Sequence, residues 1–165
     1  MVITRVRAEN FKNLDNVDIT LNDKVNVLYG KNAQGKTNLL EAIAYLGSGK
    51  AFRTQKTAEL VRLHAEFAQI AGEVYSQERQ QSLRWILYPA ARPRRLFRNG
   101  VKKKSAADIS GVLQTVLFCP EDLMVLKTGA AARRRSAFQD GQPAALRVFH
   151  TFGVVDDWKV EFWIN

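Results

Sequence analysis

The chain has a single cysteine, two widely separated histidines and fewer acids than bases, and each shortage closes off a class of function. Cys119 alone permits no internal disulfide, and its place in the apolar run Val116-Leu117-Phe118-Cys119 marks it as a buried structural thiol without a catalytic role. His64 and His150 lie too far apart, with one cysteine, to give a zinc-ligand spacing. No apolar stretch approaches the roughly 20 residues that span a bilayer. Residues 1–9 alternate charged with apolar side chains and lack the apolar core of a signal peptide, so a cytoplasmic protein is expected. Neither an internal repeat nor a low-complexity tract occurs.

What remains is enough for one domain with a real core. The 165 residues are 46% hydrophobic, which excludes wholesale disorder. Twenty-five Lys and Arg stand against 16 Asp and Glu, and the net charge of +9 favours an anionic partner, nucleic acid foremost.

Residues 30–37, Gly-Lys-Asn-Ala-Gln-Gly-Lys-Thr, match the phosphate-loop pattern G-x-x-x-x-G-K-[ST]. The apolar, β-branched run Val25-Asn26-Val27-Leu28-Tyr29 before it predicts a buried strand. Leu39, Leu40, Ile43 and Leu46 after it recur at helical spacing. Gly30 and Gly35 allow torsions and close approaches that a Cβ would block, so that successive backbone NH groups can converge on one anion. Lys31, Asn32, Ala33 and Gln34 complete the cradle. Lys36 brings a mobile cation to the β and γ phosphates, and the Thr37 hydroxyl is suited to ligate Mg²⁺. The helix dipole adds its positive end.

Residues 2–9 and 17–21 alternate at period two and, with 25–29, predict three strands feeding the loop, with Asn22-Asp23 as a turn. The break at Gly47-Ser48-Gly49-Lys50 ends the helix, and a short helical piece is expected over Thr57 to Leu63. Phe67 to Tyr75 and Ser82 to Tyr88 read as a hairpin around the polar residues 76–81, and Asn99-Gly100 marks a second, tight one. Ser105 is expected to cap a helix reaching about Leu113, followed by a buried strand over Thr115 to Phe118. The fold class is therefore α/β: a central sheet with the phosphate loop and its helix on one side, and an antiparallel β-subdomain beside it.

Arg92, Arg94, Arg95, Arg98, Lys102, Lys103 and Lys104 lie within thirteen residues that contain no acid. They read either as contacts to nucleic-acid phosphates or as a solvated hairpin tip. Phe97 among them either stacks on a base or enters the sheet core. Arg133-Arg134-Arg135 forms a second cluster, facing phosphate or simply an exposed helix face.

The motifs Phe11-Lys12-Asn13-Leu14, the phosphate loop continuing into Asn38-Leu39-Leu40-Glu41-Ala42-Ile43, Phe52-Arg53-Thr54, Asn99-Gly100 and Leu117-Phe118-Cys119-Pro120-Glu121-Asp122-Leu123 together resemble the amino-terminal lobe of the bacterial RecF family. That family comprises DNA repair ATPases related to the SMC branch of ABC-type ATPases, so the resemblance implies an ABC-type P-loop lobe. It covers residues 1–135. It also implies ATP and Mg²⁺ as cofactors, binding of single-stranded or gapped DNA, an ATP-dependent homodimer, and RecO- and RecR-type mediators that help load recombinase. Glu121 falls where such ATPases sense the γ phosphate and becomes a candidate nucleotide-site residue by the same resemblance.

After Leu123 the family pattern fades. Thr128 precedes Gly129, alanine stands where proline is expected, and Ser136-Ala137-Phe138-Gln139-Asp140 replaces the orderly ending. Residues 136–165 are expected to be a poorly ordered tail foreign to the family, such as a frameshift or gene end leaves. Phe152-Gly153-Val154-Val155-Asp156-Asp157 imitates an apolar strand ending in acids, and is read as coincidence. Without the family's acidic strand end, signature motif and catalytic glutamate, the chain is expected to bind nucleotide and to hydrolyse it poorly alone. The competing readings are a DNA-binding module with a vestigial phosphate loop, and a small P-loop kinase or GTPase. The last is disfavoured, since neither paired lid arginines nor a base-reading Asn-Lys-x-Asp occurs.

Overall fold

Strict alternation of apolar and polar residues carries most of the chain into extended structure. In the computed structural model, which describes residues 1–51, 53–54, 56–76, 78–89, 92–109, 111–117 and 151–152, the strands are β1 (Val2–Phe11), β2 (Leu14–Thr20), β3 (Ala68–Ser76), β4 (Arg79–Leu87), β5 (Arg95–Arg98) and β6 (Val101–Lys103). They form one antiparallel sheet in the order β2-β1-β3-β4-β5-β6. The expected β-subdomain is thus continuous with the amino-terminal hairpin. Asn99 and Gly100 take φ of 51° and 77°, the left-handed pair that a two-residue hairpin demands. The β3–β4 ladder is longer than the sequence suggests, running from Ala68↔Leu87 to Ser76↔Arg79 through most of the polar segment.

Helix α1 (Lys36–Ser48) covers one face of this sheet. Leu39, Ile43, Tyr45 and Leu46 pack against Ile3, Val6, Ile70, Val74, Leu83 and Trp85. Each large side chain so buried contributes about 1.5–3 kcal/mol before its entropy cost. Gly72 lets the helix approach β3, since a Cβ there would lie 2.3 Å from Leu46 Cδ2. The last turn is satisfied by one tertiary and one local donor: the Trp85 indole NH donates to Leu46 O at 3.2 Å, and Gly49 NH, in the helix's own left-handed cap, donates to Tyr45 O at 2.7 Å.

Several local expectations change. Residues 25–29 form no strand among the described residues, and Val25, Val27 and Tyr29 are 59%, 69% and 90% exposed. Their propensity is extended, but no neighbouring strand among the described residues supplies the ladder that would bury them. The helical piece at 57–63 is a short 3₁₀ turn, Thr57–Leu60. The helix expected from Ser105 is another, Ala106–Ile109, whose start is held by the Asp108 carboxylate accepting from Lys104 NH and Ser105 NH at 3.0 Å each. Leu96 enters the core, whereas Phe97, on the opposite face, lies beneath the Arg84 guanidinium at 4.5 Å. The expected strand over 115–118 is β7 (Val116–Leu117), paired in parallel with β8 (Thr151–Phe152) apart from the main sheet. Apart from β8, the tail expected over 136–165 lies outside the described residues, as do Cys119, Glu121 and Arg133–Arg135. No helix among the described residues is long and apolar enough to cross a membrane.

Candidate nucleotide-binding site

The phosphate loop runs from residue 30 into the first turn of α1, and its shape follows from three positive φ angles. Gly30 has φ 148°, Ala33 63° and Gly35 97°. Alternation of left-handed with ordinary conformations curls the backbone into a nest of NH donors. Gly35 is obligatory twice over: its φ is left-handed, and a Cβ would lie 2.7 Å from both Asn13 Oδ1 and Leu14 Cδ2. Gly30 faces open space, so there only the torsion favours glycine.

Gly35 is also the N-cap of α1. It offers no side-chain hydrogen bond, and the first turn contains no acid. Neither a capping side chain nor a first-turn acid therefore competes for this helix end, whose dipole turns its positive pole to an external anion. The Lys36 ammonium folds back to donate to the carbonyls of Gly30 and Lys31. That places a cation across the mouth of the nest. Donor set, charge and helix end all suit a polyphosphate.

The loop lines a cleft of about 220 Å³ with Asn13, Asn32, Ala33, Gln34, Gly35, Lys36, Thr37, Asn38 and Arg53. This is below the roughly 300–1,000 Å³ of sites that enclose a drug-sized ligand, and fits a phosphate chain better than a whole nucleotide. Of the expected residues, 32–37 line it directly. Gly30 and Lys31 shape it by holding Lys36, and Glu121 lies outside the described residues.

Three lining residues were absent from the sequence-based set: Asn13, Asn38 and Arg53. Asn13 and Arg53 stand in the Phe-Lys-Asn-Leu and Phe-Arg-Thr motifs, which were a usable signal, while Asn38 directly follows the loop. Beneath the cleft, Glu41 is fully buried and pairs with the Lys12 ammonium, and its other oxygen accepts from Arg53 NH at 3.4 Å.

The basic run does not act as one patch, because strand alternation divides it. Arg94 donates to the Tyr45 hydroxyl at 2.7 Å and to Gly49 O, and its guanidinium stacks 4.9 Å over Trp85. Arg98 donates to Gln81 Oε1 at 2.9 Å and to Asp108 O at 3.3 Å. Both belong to the helix side of the sheet. Lys103 sits opposite the core residue Leu96 and is half-buried. Arg92, Arg95, Lys102 and Lys104 are exposed, as is Arg94 despite its bonds, with Arg92 and Arg95 beside the Tyr88 ring at 5.9 and 5.7 Å.

A second hollow, about 270 Å³, lies on the sheet face away from α1, bordered by Arg5, Arg7, Glu73, Arg84 and Phe97. Its cations are largely committed: Arg5 meets Asp18 in a two-pronged pair with both distances 2.7 Å, and Arg7 reaches Asp18 and Glu73. The hydrogen bond from Arg5 holds the Asp18 carboxyl down to about 2. Without a backbone nest or a helix end it lacks the donor set of the loop.

The profile of the family described as the RecF/RecN/SMC N-terminal domain matches residues 2–115. The DNA replication and repair protein RecF of Bacillus cereus (strain G9842) is 38% identical over 135 residues, and that of Bacillus thuringiensis (strain Al Hakam) 37%. Each alignment covers 82% of this chain and 36% of the relative, so the chain spans about a third of the length of these proteins. Among solved structures, that of the recombination mediator protein RecF with ATPrS, from the RecFOR pathway, superposes with a TM-score of 0.73 at 36% identity over 81% of this chain and 36% of that one. A chain from a study of ATP-driven dimerization of SMC ATPases is matched over its whole length and 86% of this chain, with a TM-score of 0.71. At 18% identity it supports the fold alone.

Proposed function

Because the chain belongs to the RecF/RecN/SMC N-terminal domain family, we propose that it is the ATP-binding lobe of a RecF-like protein of DNA replication and recombinational repair. The observation that carries this reading is the start of α1, where a glycine cap without a side-chain bond and a first turn without acids leave a helix end open to anions. The NH groups of residues 32–37 would hold the phosphates. Lys36 would exchange the carbonyls of Gly30 and Lys31 for β and γ phosphate oxygens, neutralising charge that the nest alone leaves. The Thr37 hydroxyl would give Mg²⁺ one ligand, the phosphates others. Bound ATP supplies the phosphoanhydride whose presence or cleavage such a lobe reports.

Hydrolysis needs more: an acid to help hold the metal and a group to orient water. Among the described residues no three His, Cys, Asp or Glu side chains gather into such a centre. By likeness to RecF, of whose length the chain spans about a third, the lobe is expected to bind nucleotide and to turn it over poorly by itself. Single-stranded or gapped DNA, RecO- and RecR-type mediators, recombinase loading and an ATP-dependent homodimer enter the proposal through likeness to RecF. The exposed Arg92, Arg95, Lys102 and Lys104 support the DNA contact.

Titration of the purified chain with a fluorescent ATP analogue, with and without Mg²⁺, tests the nucleotide reading. Lys36→Ala is expected to weaken binding at least tenfold. DNA binding that neither responds to ATP nor changes in Lys36→Ala would favour a DNA-binding module with an idle phosphate loop.

A further inference from the structure

The turn between β1 and β2 touches the phosphate loop at one side chain. Asn13 Nδ2 donates to Ala33 O at 3.0 Å, and Asn13 Oδ1 accepts from Asn38 Nδ2 at 2.7 Å. One carboxamide thus joins the crest of the loop to the first turn of α1, beside the link that the Lys36 ammonium makes to the carbonyls of Gly30 and Lys31 at the loop's start. The two bonds also fix the amide's orientation, since the nitrogen must face the carbonyl. Ala33 is the loop's non-glycine residue with positive φ, and its carbonyl is the atom that Asn13 holds. Against the same carboxamide, Gly35 closes so tightly that no Cβ fits.

The turn is itself held under strain. Asn10 and Lys12 both have φ of 51°, in the left-handed region that asparagine tolerates and lysine seldom adopts. Three contacts hold it there: Lys12 NH donates to Leu60 O at 2.9 Å and Arg62 NH to Asn10 O at 2.8 Å, the two bonds that bridge Phe11 to Val61, and the Lys12 ammonium pairs with buried Glu41. Such over-determination makes Asn13 a fixed point against which a glycine-rich loop can be braced. A loop that must gather several NH groups on one anion loses less entropy on binding when its curl is set in advance.

We propose that Asn13 is a positioning residue of the nucleotide site, which pre-forms the phosphate loop by clamping Ala33 O and the Asn38 side chain. The proposal rests on the nucleotide reading above. Asn13→Ala is expected to weaken ATP and ADP alike by about tenfold, because the contact shapes the shared diphosphate cradle rather than the γ-phosphate end. Asn38→Ala, which removes only the bond that orients the carboxamide, should cost about threefold. The double variant should resemble Asn13→Ala rather than show the product of both losses. Thermal unfolding of the nucleotide-free chain separates this from a folding defect: the Asn38→Ala midpoint should stay within a few degrees of the parent. Either of two results overturns the proposal: Asn13→Ala within twofold of the parent while Lys36→Ala loses binding, or multiplicative losses in the double variant. Failure of the parent chain itself to bind ATP would instead bring down the nucleotide reading, and this proposal with it.

Discussion

The Lys12 ammonium and the fully buried Glu41 carboxylate pair across the junction of the β1–β2 turn and helix α1, one turn beyond the phosphate loop. A charge with no exposure persists only if it is compensated, so this pair ties the left-handed backbone of Lys12 to the helix that carries the site. Lys12→Met leaves Glu41 uncompensated and is expected to destabilise the chain by about 3–5 kcal/mol, read from the midpoint of urea unfolding. The double variant Lys12→Met/Glu41→Leu should recover much of that loss. Equal destabilisation of the single and double variants would show that the pair is not the determinant.

The two halves of the basic run should separate by experiment. Arg94→Ala removes hydrogen bonds to the Tyr45 hydroxyl and Gly49 O, and is expected to cost about 1–3 kcal/mol of stability with little effect on DNA affinity. Lys102→Ala/Lys104→Ala should do the reverse. The midpoint of unfolding stays put, while the slope of log affinity against log salt on single-stranded DNA falls by about 0.7 for each phosphate that a lysine no longer neutralises. A salt slope unchanged in that double variant would remove these lysines from the interface.

Asp18 gives a pH test of the sheet face away from α1. Its carboxyl is held down to about 2, from 3.8, first by the hydrogen bond from Arg5 and then by the Arg5 and Arg7 charges, offset by desolvation. A depressed carboxylate contributes stability that is present above its unfolded pKa, near 3.8, and is lost as pH falls toward 2. Because both partners are exposed, the loss should be small. The Asp18 carboxyl resonance should titrate with a midpoint near 2 in the parent chain and rise toward 3.8 in Arg5→Ala. A midpoint already near 3.8 in the parent would show the pair to be broken in solution.

Local signals in the sequence decided the elements whose physics is local. The phosphate loop is legible because glycine torsions, a terminal lysine and an amphipathic helix stand in one continuous stretch, and the Asn99-Gly100 turn because no other pair so readily supplies two left-handed residues. Residues 25–29 depart from expectation for a related reason. β-propensity records a side chain's fit to a pleated surface, whereas the ladder that makes a strand comes from another segment. The basic run is likewise continuous in sequence, yet alternation of side chains across β5 and β6 sends Arg98 to the helix side and leaves Lys102 outside, while Arg94, just before β5, is drawn to the helix by Tyr45 and Gly49.

By itself, the sequence determined that this chain presents a phosphate cradle at the head of a helix, and that its motifs are those of a RecF-like lobe. Only the tertiary structure decided what holds the cradle in shape. Asn13 lies 20 residues before Ala33 and 25 before Asn38, and no periodicity links them. They meet because β1 turns back at a strained corner that Leu60, Arg62 and Glu41 secure, and the range of a hydrogen bond is set by space rather than by position along the chain.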